Sequence, residues 1–426
     1  MPSGTLRASG RAFAQISEFH PELTAFRRDL HAHPELGFEE VYTSSRVMHA
    51  LKLCGVDEVH TGIAKTGIVA VIKGQQPRGS VGADAPCMVA LRADMDALPM
   101  TEHNEFGWKS SKNGLMHGCG HDGHTTMLVG AARYLSATRN FAGDAVLVFQ
   151  PAEEGRGGAA AMIADGLFER FPVSAIYAMH NWPAMQPGTV GINAGPMMAA
   201  ADRITIEVCG KGGHGAHPYQ TVDTVLVAAH IITAVQSIVS RNVKAMDNAV
   251  ISLCAVRAGD LGAMSVVPDT ATLVGTVRTF KPGVQDAVER RLHELCAGVA
   301  HAFGATATVK YERIYPATIN SQAEFRLATG VAEQLVGAHN VVRDLEPSMG
   351  SEDFSFMLKE KPGAYLRLGQ GEVIADGKGG LTGGVGSRFL HNSCYDFNDS
   401  VLPLGAALFA GIVEQSMPIR TGEVAI

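Results

Sequence analysis

The sequence predicts an α/β protein of two domains: a mixed, mostly parallel sheet, interrupted by an inserted α+β domain. Three observations carry this. Short apolar runs with strand character alternate with helical stretches up to residue 197. Between 198 and 312 the style changes to strands that alternate polar and apolar residues, separated by two long helices. The 426 residues are long for one ordinary domain and comfortable for two.

The elements follow in order. ELTAFRRDLH at 22–31 is amphipathic and stops near Pro34; Thr43 or Ser44 could cap a second helix, which runs to Leu53 and ends at Gly55. The runs GIVAVI (67–72), CMVALR (87–92), DAVLVF (144–149) and SAIYAM (174–179) lack clean alternation, as buried strands do. Helical stretches near 123–137 and 157–166 lie between them, and strand–helix alternation of this kind points to a parallel sheet. RITIEV at 203–208 then opens a new pattern. An apolar helix (221–240), strands at 249–257 and 270–280, a helix at 283–303 and a strand at 306–312 complete β-α-β-β-α-β, the ferredoxin-like unit. The expected division is therefore 1–197, 198–312 as the insertion, and 313–426 where the α/β style returns. The Gly-rich stretch 369–386 reads as a mobile surface loop.

Composition removes several function classes. With 46% hydrophobic and 18% charged residues the chain is no wholly disordered segment, and a net charge of -7 argues against a general nucleic-acid binder. No uninterrupted apolar window approaches membrane-spanning length, and the first residues lack the apolar core of a secretory signal, so neither a membrane nor export is expected. Seven scattered cysteines fit a reducing cytoplasm better than a disulfide scaffold.

Four segments carry chemistry. MHGCGHDGHT at 116–125 sets Cys119 two residues from His121, with Asp122 and His124 beside them; thiolate and imidazole ligate transition metals, and Gly118, Gly120 and Gly123 let the backbone fold tightly enough for them to converge. The bland alternative is a helix entry with incidental histidines. FQPAEEG at 149–155 follows a buried strand with Glu153 and Glu154. In extended chain these would point opposite ways, one to a metal and the other to substrate; on a surface they would be a solvated pair. His180 ends the strand of YAMHNWP, where a satisfied core histidine is the alternative, and His391 in FLHNSCYDFND follows the Gly-rich loop. Sites of open α/β sheets lie at the carboxyl ends of strands. Five donors, Cys119, His121, Glu154, His180 and His391, exceed one four-coordinate site and suggest two metals with positions open to water.

Together RRDLHAHPELGFEE, LRADMDALPM, MHGCGHDGHT, PAEEG, MHNWP, GKGGHGAHP and the late LHN resemble the metal-dependent aminoacylases, hippurate hydrolases and indole-acetyl-amino-acid hydrolases, relatives of the two-metal carboxypeptidases. The resemblance runs from about 22 to 410. It implies hydrolysis of N-acyl amino acids with two divalent ions, zinc or manganese, in a cytoplasmic homodimer or higher homo-oligomer whose inserted domain is a lid and dimerisation surface. Cys119 resembles the bridging thiolate, His121 and Glu154 ligands of one ion, and His180 and His391 ligands of the other. Glu153 matches the general base. Asp94 and Asp122 would orient ligands. His214 resembles the inserted-domain histidine that stabilises the oxyanion, and Arg278 an arginine that pairs with the substrate carboxylate. His217 lies outside the motif position. Ser265 stands where the family usually has asparagine, so that role is not carried over. Met100, Met116, Met162, Met179, Met197 and Met198 fall near these motifs and read as core packing before acyl pocket. A dipeptidase or carboxypeptidase with the same centre, and a metal-dependent binding protein that has lost catalysis, are the alternatives.

Overall fold

Strands Glu58–Ile63 (β1), Gly67–Lys73 (β2), Met88–Asp94 (β3), Asp144–Gln150 (β4) and Ala175–Trp182 (β5) form most of an eight-stranded sheet in the computed structural model, which describes residues 8–77, 87–375 and 381–419. The order is β1-β2-β4-β3-β5, then Gly363–Gly369, Val190–Gly191 and Val341–Val342. Four central strands, β4, β3, β5 and Gly363–Gly369, run parallel, whereas β1 and β2 add an antiparallel margin. β3 and β4 are buried along their whole length, which is why their sequences are continuous apolar runs rather than alternating ones. β1 (EVHTGI) is an exposed edge strand with little apolar content, so its sequence gives no strand signal.

This sheet belongs to the first of two compact units, Met1–Met197 with Ile319–Glu346 and Phe356–Ile426. The helix His121–Thr138 is buried on nearly all sides and packs against Leu402–Ser416, itself apolar all round. The helix expected to be capped by Thr43 or Ser44 starts at Val41 with Glu40 in the cap position, three residues before Thr43, and Thr43 is buried inside it; its end at a left-handed Gly55 is as expected. In the Gly-rich stretch, Gly369 ends a central strand, and Val373–Ala375 pairs with Leu381–Gly383 as an antiparallel ribbon, so the described part is not a plain loop; 376–380 lies outside the described residues.

The second unit is Met198–Thr318 with Pro347–Ser355. Its later boundary differs from the expected 312 because the last strand, Thr306–Tyr315, runs three residues further, and 347–355 joins this unit through backbone bonds from Ala199 to Ser348 and Gly350. Four antiparallel strands lie in the order Ala249–Ala258, Thr270–Thr279, Ala200–Cys209, Thr306–Tyr315, the arrangement of a split βαβ unit. Helices Thr224–Ser237 and Pro282–Ala302 cover one face, Val227, Ile231, Val235, Val288 and Leu292 packing on Ile204, Ile206, Leu273 and Val277. Asp223 caps the first of these helices, accepting from the amides of Val225 and Leu226. With its π-helical continuation, Thr224–Asn242 is the one described helix long and apolar enough to cross a membrane by length and composition.

Candidate metal centre

The carboxyl ends of β3, β4 and β5 are in register, Asp94 opposite Gln150 and Arg92 opposite Ala178. The chain leaving each strand carries a polar side chain into one place. Asp96 follows β3, Glu153 and Glu154 follow β4, and His180 lies near the end of β5. The loop before His121–Thr138 adds Cys119, and the segment after the paired ribbon adds His391.

These donors form two triplets that share the buried thiol: Cys119–His121–His180 and Cys119–Glu154–His391, the ligand atoms of each lying within 4.8 Å of one another. Cys119 Sγ is 3.4 Å from His180 Nε2, and His391 Nε2 is 3.3 Å from Glu154 Oε1. The two triplets set His121 beside His180 and Glu154 beside His391, where the resemblance implied His121 with Glu154 and His180 with His391; His121 also lies within 4.8 Å of Glu154, in a group with Glu153. Both histidines of the first triplet are held from behind. His121 Nδ1 donates to Asp96 O at 2.9 Å and faces Asp96 Oδ1 at 3.2 Å, while His180 Nδ1 donates to the Asn181 carbonyl at 2.8 Å. Each Nε2 is thereby turned inward, toward the other donors. His121 Nε2 is buried without a hydrogen-bond partner of ordinary geometry, a gap that a bound cation would fill. Sulfur, imidazole and carboxylate together suit a borderline divalent cation, so the residues fit a metal.

Local backbone makes the convergence possible. Gly120 has φ 94°, and a Cβ there would lie 2.3 Å from Asn181 Oδ1 and 2.6 Å from the Tyr395 hydroxyl. Ala152 and His391 adopt left-handed φ of 57° and 63° without being glycine, each at a cost of about 1 to 3 kcal/mol, and they immediately precede or constitute site residues. Glu153 and Glu154 do not lie on extended chain as expected: β4 stops at Gln150 and they occupy an irregular turn, Glu153–Arg156. Their side chains are not splayed apart. An oxygen of each lies within 4.8 Å of the other and of His121. Beside Glu154 opens a cavity of about 350 Å³ lined by Leu36, Asp96, Leu98, Pro99 and Arg156.

Electrostatics separate the donors from their neighbours. Burial and the nearby Glu154 push the Cys119 thiol up; burial and His124 push His180 down, keeping it neutral. Hydrogen bonds to Cys119 and Glu154 raise His391 to about 10. In a further group, Asp94–His121–His124, the Asp94 carboxylate and the His124 ring are already paired. Asp94 Oδ1 meets His124 Nδ1 at 2.6 Å, Asp94 Oδ2 accepts from Arg92 at 2.7 Å, and His124 Nε2 faces Asn181 Oδ1 at 2.7 Å. Burial opposes the Asp94 charge, but His121, Arg92 and His124 hold it well below the ordinary carboxylate range.

Two expectations about orientation therefore change. Asp94 orients His124, with His121 Nε2 no nearer than 3.8 Å, and the Asp122 carboxylate turns away from the donors to His31, 2.8 Å from its Nδ1. The residue that orients His121 is Asp96, whose other oxygen accepts from the Glu154 amide at 2.9 Å. Its signal was in the motif: in LRADMD, Asp96 stands two residues after Asp94, on the same side of a chain leaving a strand.

His214 and Arg278 belong to the second unit. His214 is exposed on the two-residue strand Gly213–His214, opposite Val266–Val267, and its Nδ1 accepts from the Ala216 amide at 3.0 Å. Arg278 is half-buried on Thr270–Thr279, and burial lowers its pKa; its Nη1 has no hydrogen-bond partner. His217 and Ser265 are exposed on loops of this unit. Of the methionines near the motifs, Met116, Met162, Met179 and Met197 are fully buried and Met198 is buried, as core packing requires, whereas Met100 is half-buried.

Residues 90–415 match the model of the peptidase family M20/M25/M40. The chain belongs to that family. Among curated members it is 39% identical to a hippurate hydrolase of Campylobacter jejuni, over 93% of this chain and 97% of that protein. It is 35% identical to an N-acetylcysteine deacetylase of Bacillus subtilis, over 92% and 96%. Of solved structures, a putative aminohydrolase from methicillin-resistant Staphylococcus aureus superposes with a TM-score of 0.83 at 27% identity, covering 95% of this chain and 99% of that one. The Bacillus subtilis YXEP protein, described as a dinuclear metal-binding peptidase of the M20 family, superposes with 0.77 at 31%, covering 93% and 98%.

Proposed function

We propose that this M20-family chain hydrolyses the amide bond of N-acyl amino acids, releasing a carboxylic acid and a free amino acid, at a centre of two divalent ions. The observation that carries the proposal is the pair of donor triplets sharing Cys119, with one further carboxylate, Glu153, alongside. Hippurate and N-acetylcysteine, for which two relatives are named, are both N-acyl amino acids, and a third relative is named as dinuclear. Cys119 would bridge; His121 and His180 would hold one ion, Glu154 and His391 the other. Zinc or manganese suits this donor set. Such ions, when bound, lower the pKa of water and polarise a carbonyl oxygen.

The protein's own groups would do the rest. Glu153 belongs to neither of the two triplets that share Cys119, and in this reading its carboxylate takes a proton from water and returns it to the leaving amine nitrogen. The cavity beside Glu154, with Leu36, Leu98 and Pro99 in its wall, offers room for an apolar acyl group. In the second unit, His214 would donate to the oxyanion and the guanidinium of Arg278 would pair with the substrate carboxylate. The edge strand Ala249–Ala258, with exposed Val256, and the helix bearing exposed Val225 and Leu226 suit contact with a second copy, which supports a homodimer. Seven unpaired cysteines fit a reducing cytoplasm.

The test is amine release from N-acetyl, benzoyl and indole-acetyl amino acids and from unblocked dipeptides, with zinc or manganese and against a chelated control. Metal-dependent release from the acyl amino acids is expected. Faster turnover of dipeptides would make the chain a peptidase, and no release from a protein carrying two ions would make it a binder. Glu153→Gln should lower kcat by about 10²- to 10⁴-fold with the metal content unchanged; undiminished turnover removes the proposed base.

A further inference from the structure

Arg27 and His31 stand one turn apart on the helix His20–Ala32, both completely buried. Arg27 Nε donates to Asp399 at 2.6 Å and Nη1 to Asp396 at 3.0 Å; the same Nη1 lies 3.6 Å from Asp122 Oδ2. His31 Nδ1 meets Asp122 Oδ2 at 2.8 Å and its Nε2 meets Glu102 Oε1 at 3.2 Å. A ring between two carboxylates serves both only by donating from both nitrogens. Burial opposes that charge, but the bonds to Asp122 and Glu102 raise His31 to about 9. Two cations from one helix therefore grip a single oxygen of Asp122.

Asp122 is the second residue of His121–Thr138, next to His121 and three residues after Cys119. Among the described residues no hydrogen bond or ion pair joins a side chain of this cluster to a metal donor; the cluster borders the backbone that carries them. Asp96 restrains the His121 ring from the sheet side, and the cluster restrains the helix turn beneath it, so ring and main chain are fixed independently. Stability alone is a poor reason for such a cluster, since buried ion pairs are commonly replaceable by well-packed apolar residues without loss. Registry of a functional element is the use that such groups serve best.

We propose that Arg27 and His31 are positioning residues of the metal centre: through Asp122 they fix the first turn of His121–Thr138, and so set where His121 and Cys119 present their donor atoms. The proposal rests on the two-ion centre described above. His31→Gln removes one donor from Asp122, and Arg27→Lys keeps the charge but loses the fork. Metal affinity is measured by competition with a chromophoric chelator, together with circular dichroism, Tm, kcat and KM. Expected for His31→Gln are a native spectrum, metal affinity weakened about 10- to 100-fold, a kcat restored by excess metal and a KM little changed. Arg27→Lys should weaken affinity less. A lowered Tm with wild-type metal affinity in the folded protein overturns the proposal and leaves the cluster structural. Should His31→Gln fail to fold, Arg27→Lys carries the test alone, and unchanged metal affinity in that folded variant overturns the proposal too. Wild-type protein that binds no ions overturns both this inference and the two-ion centre, whereas two ions bound equally by wild type and variant overturn the positioning role alone.

Discussion

Gly123 lies in the first turn of the helix that carries His121, and the aromatic edge of Phe397 rests on it. A Cβ built there meets three ring carbons at 2.2, 2.4 and 2.5 Å, where ordinary contact begins near 3.4 Å. Phe397 is 1% exposed, so its ring has nowhere to retreat by the ~1 Å required. Helix propensity alone favours Ala over Gly by up to about 1 kcal/mol. Overpacking of a closed core costs about 1 to 3 kcal/mol before that gain is subtracted, and three simultaneous clashes put Gly123→Ala at the upper end. The expected net loss is about 2 kcal/mol. Gly330 is the control. It sits inside the helix Gln322–Val336 with nothing within 4 Å of its virtual Cβ, so Gly330→Ala should gain about 0.5 to 1 kcal/mol. Urea unfolding of both variants and wild type in excess chelator isolates the packing term from metal binding. A Gly123→Ala midpoint at or above wild type, with Gly330→Ala behaving as stated, would refute the steric argument.

Other outcomes follow from named contacts. His31 titrates near 9 in the folded protein against about 6.5 unfolded, a difference of about 3 kcal/mol. Because its folded value is raised, that stabilisation is fully present below about pH 6.5 and is lost as pH rises through about 9. In excess chelator the stability gap between wild type and His31→Gln should therefore shrink by about 3 kcal/mol from pH 6 to pH 10, and a constant gap would contradict the charge on His31. Cys119→Ser should drop the metal stoichiometry below two ions per chain by elemental analysis; two ions retained would exclude the thiol as the shared ligand. Asp223→Ala removes the acceptor for the Val225 and Leu226 amides, and thermal denaturation should register a loss of about 1 kcal/mol.

The strands that deliver the site were legible because burial on both faces writes itself as unbroken apolar runs, as in DAVLVF of β4. β1 was not, since an exposed edge strand needs no such run. The donors were legible one by one, because Cys119, His121, Glu154, His180 and His391 each sit where a strand or loop ends. How they group was not. The closeness of His121 to His180 depends on how far β5 brings its end toward the Gly120 turn, a distance that no local pattern encodes. Asp96 is hard to read for a different reason: its role is a bond to a histidine ring 25 residues away, which Asp94 two residues earlier in the motif masks. The fate of Asp122 required knowing that the helix His20–Ala32 faces it with Arg27 and His31.

The interruption of the central sheet has a consequence for how the chain is made. β5 pairs on one side with β3, already synthesised, but on the other with Gly363–Gly369, which follows the whole second unit. At ~5 to 20 residues per second the ribosome needs on the order of 10 to 40 s to deliver that partner. During this interval β5 is an unguarded edge of apolar sequence, the kind of surface on which nascent chains join one another. His391 emerges later still, so the donors Cys119, His121 and His180 are complete long before Glu154 gains its companion. The insertion thus doubles as a delay line: its length sets how long the half-built sheet waits with β5 unpaired on one side.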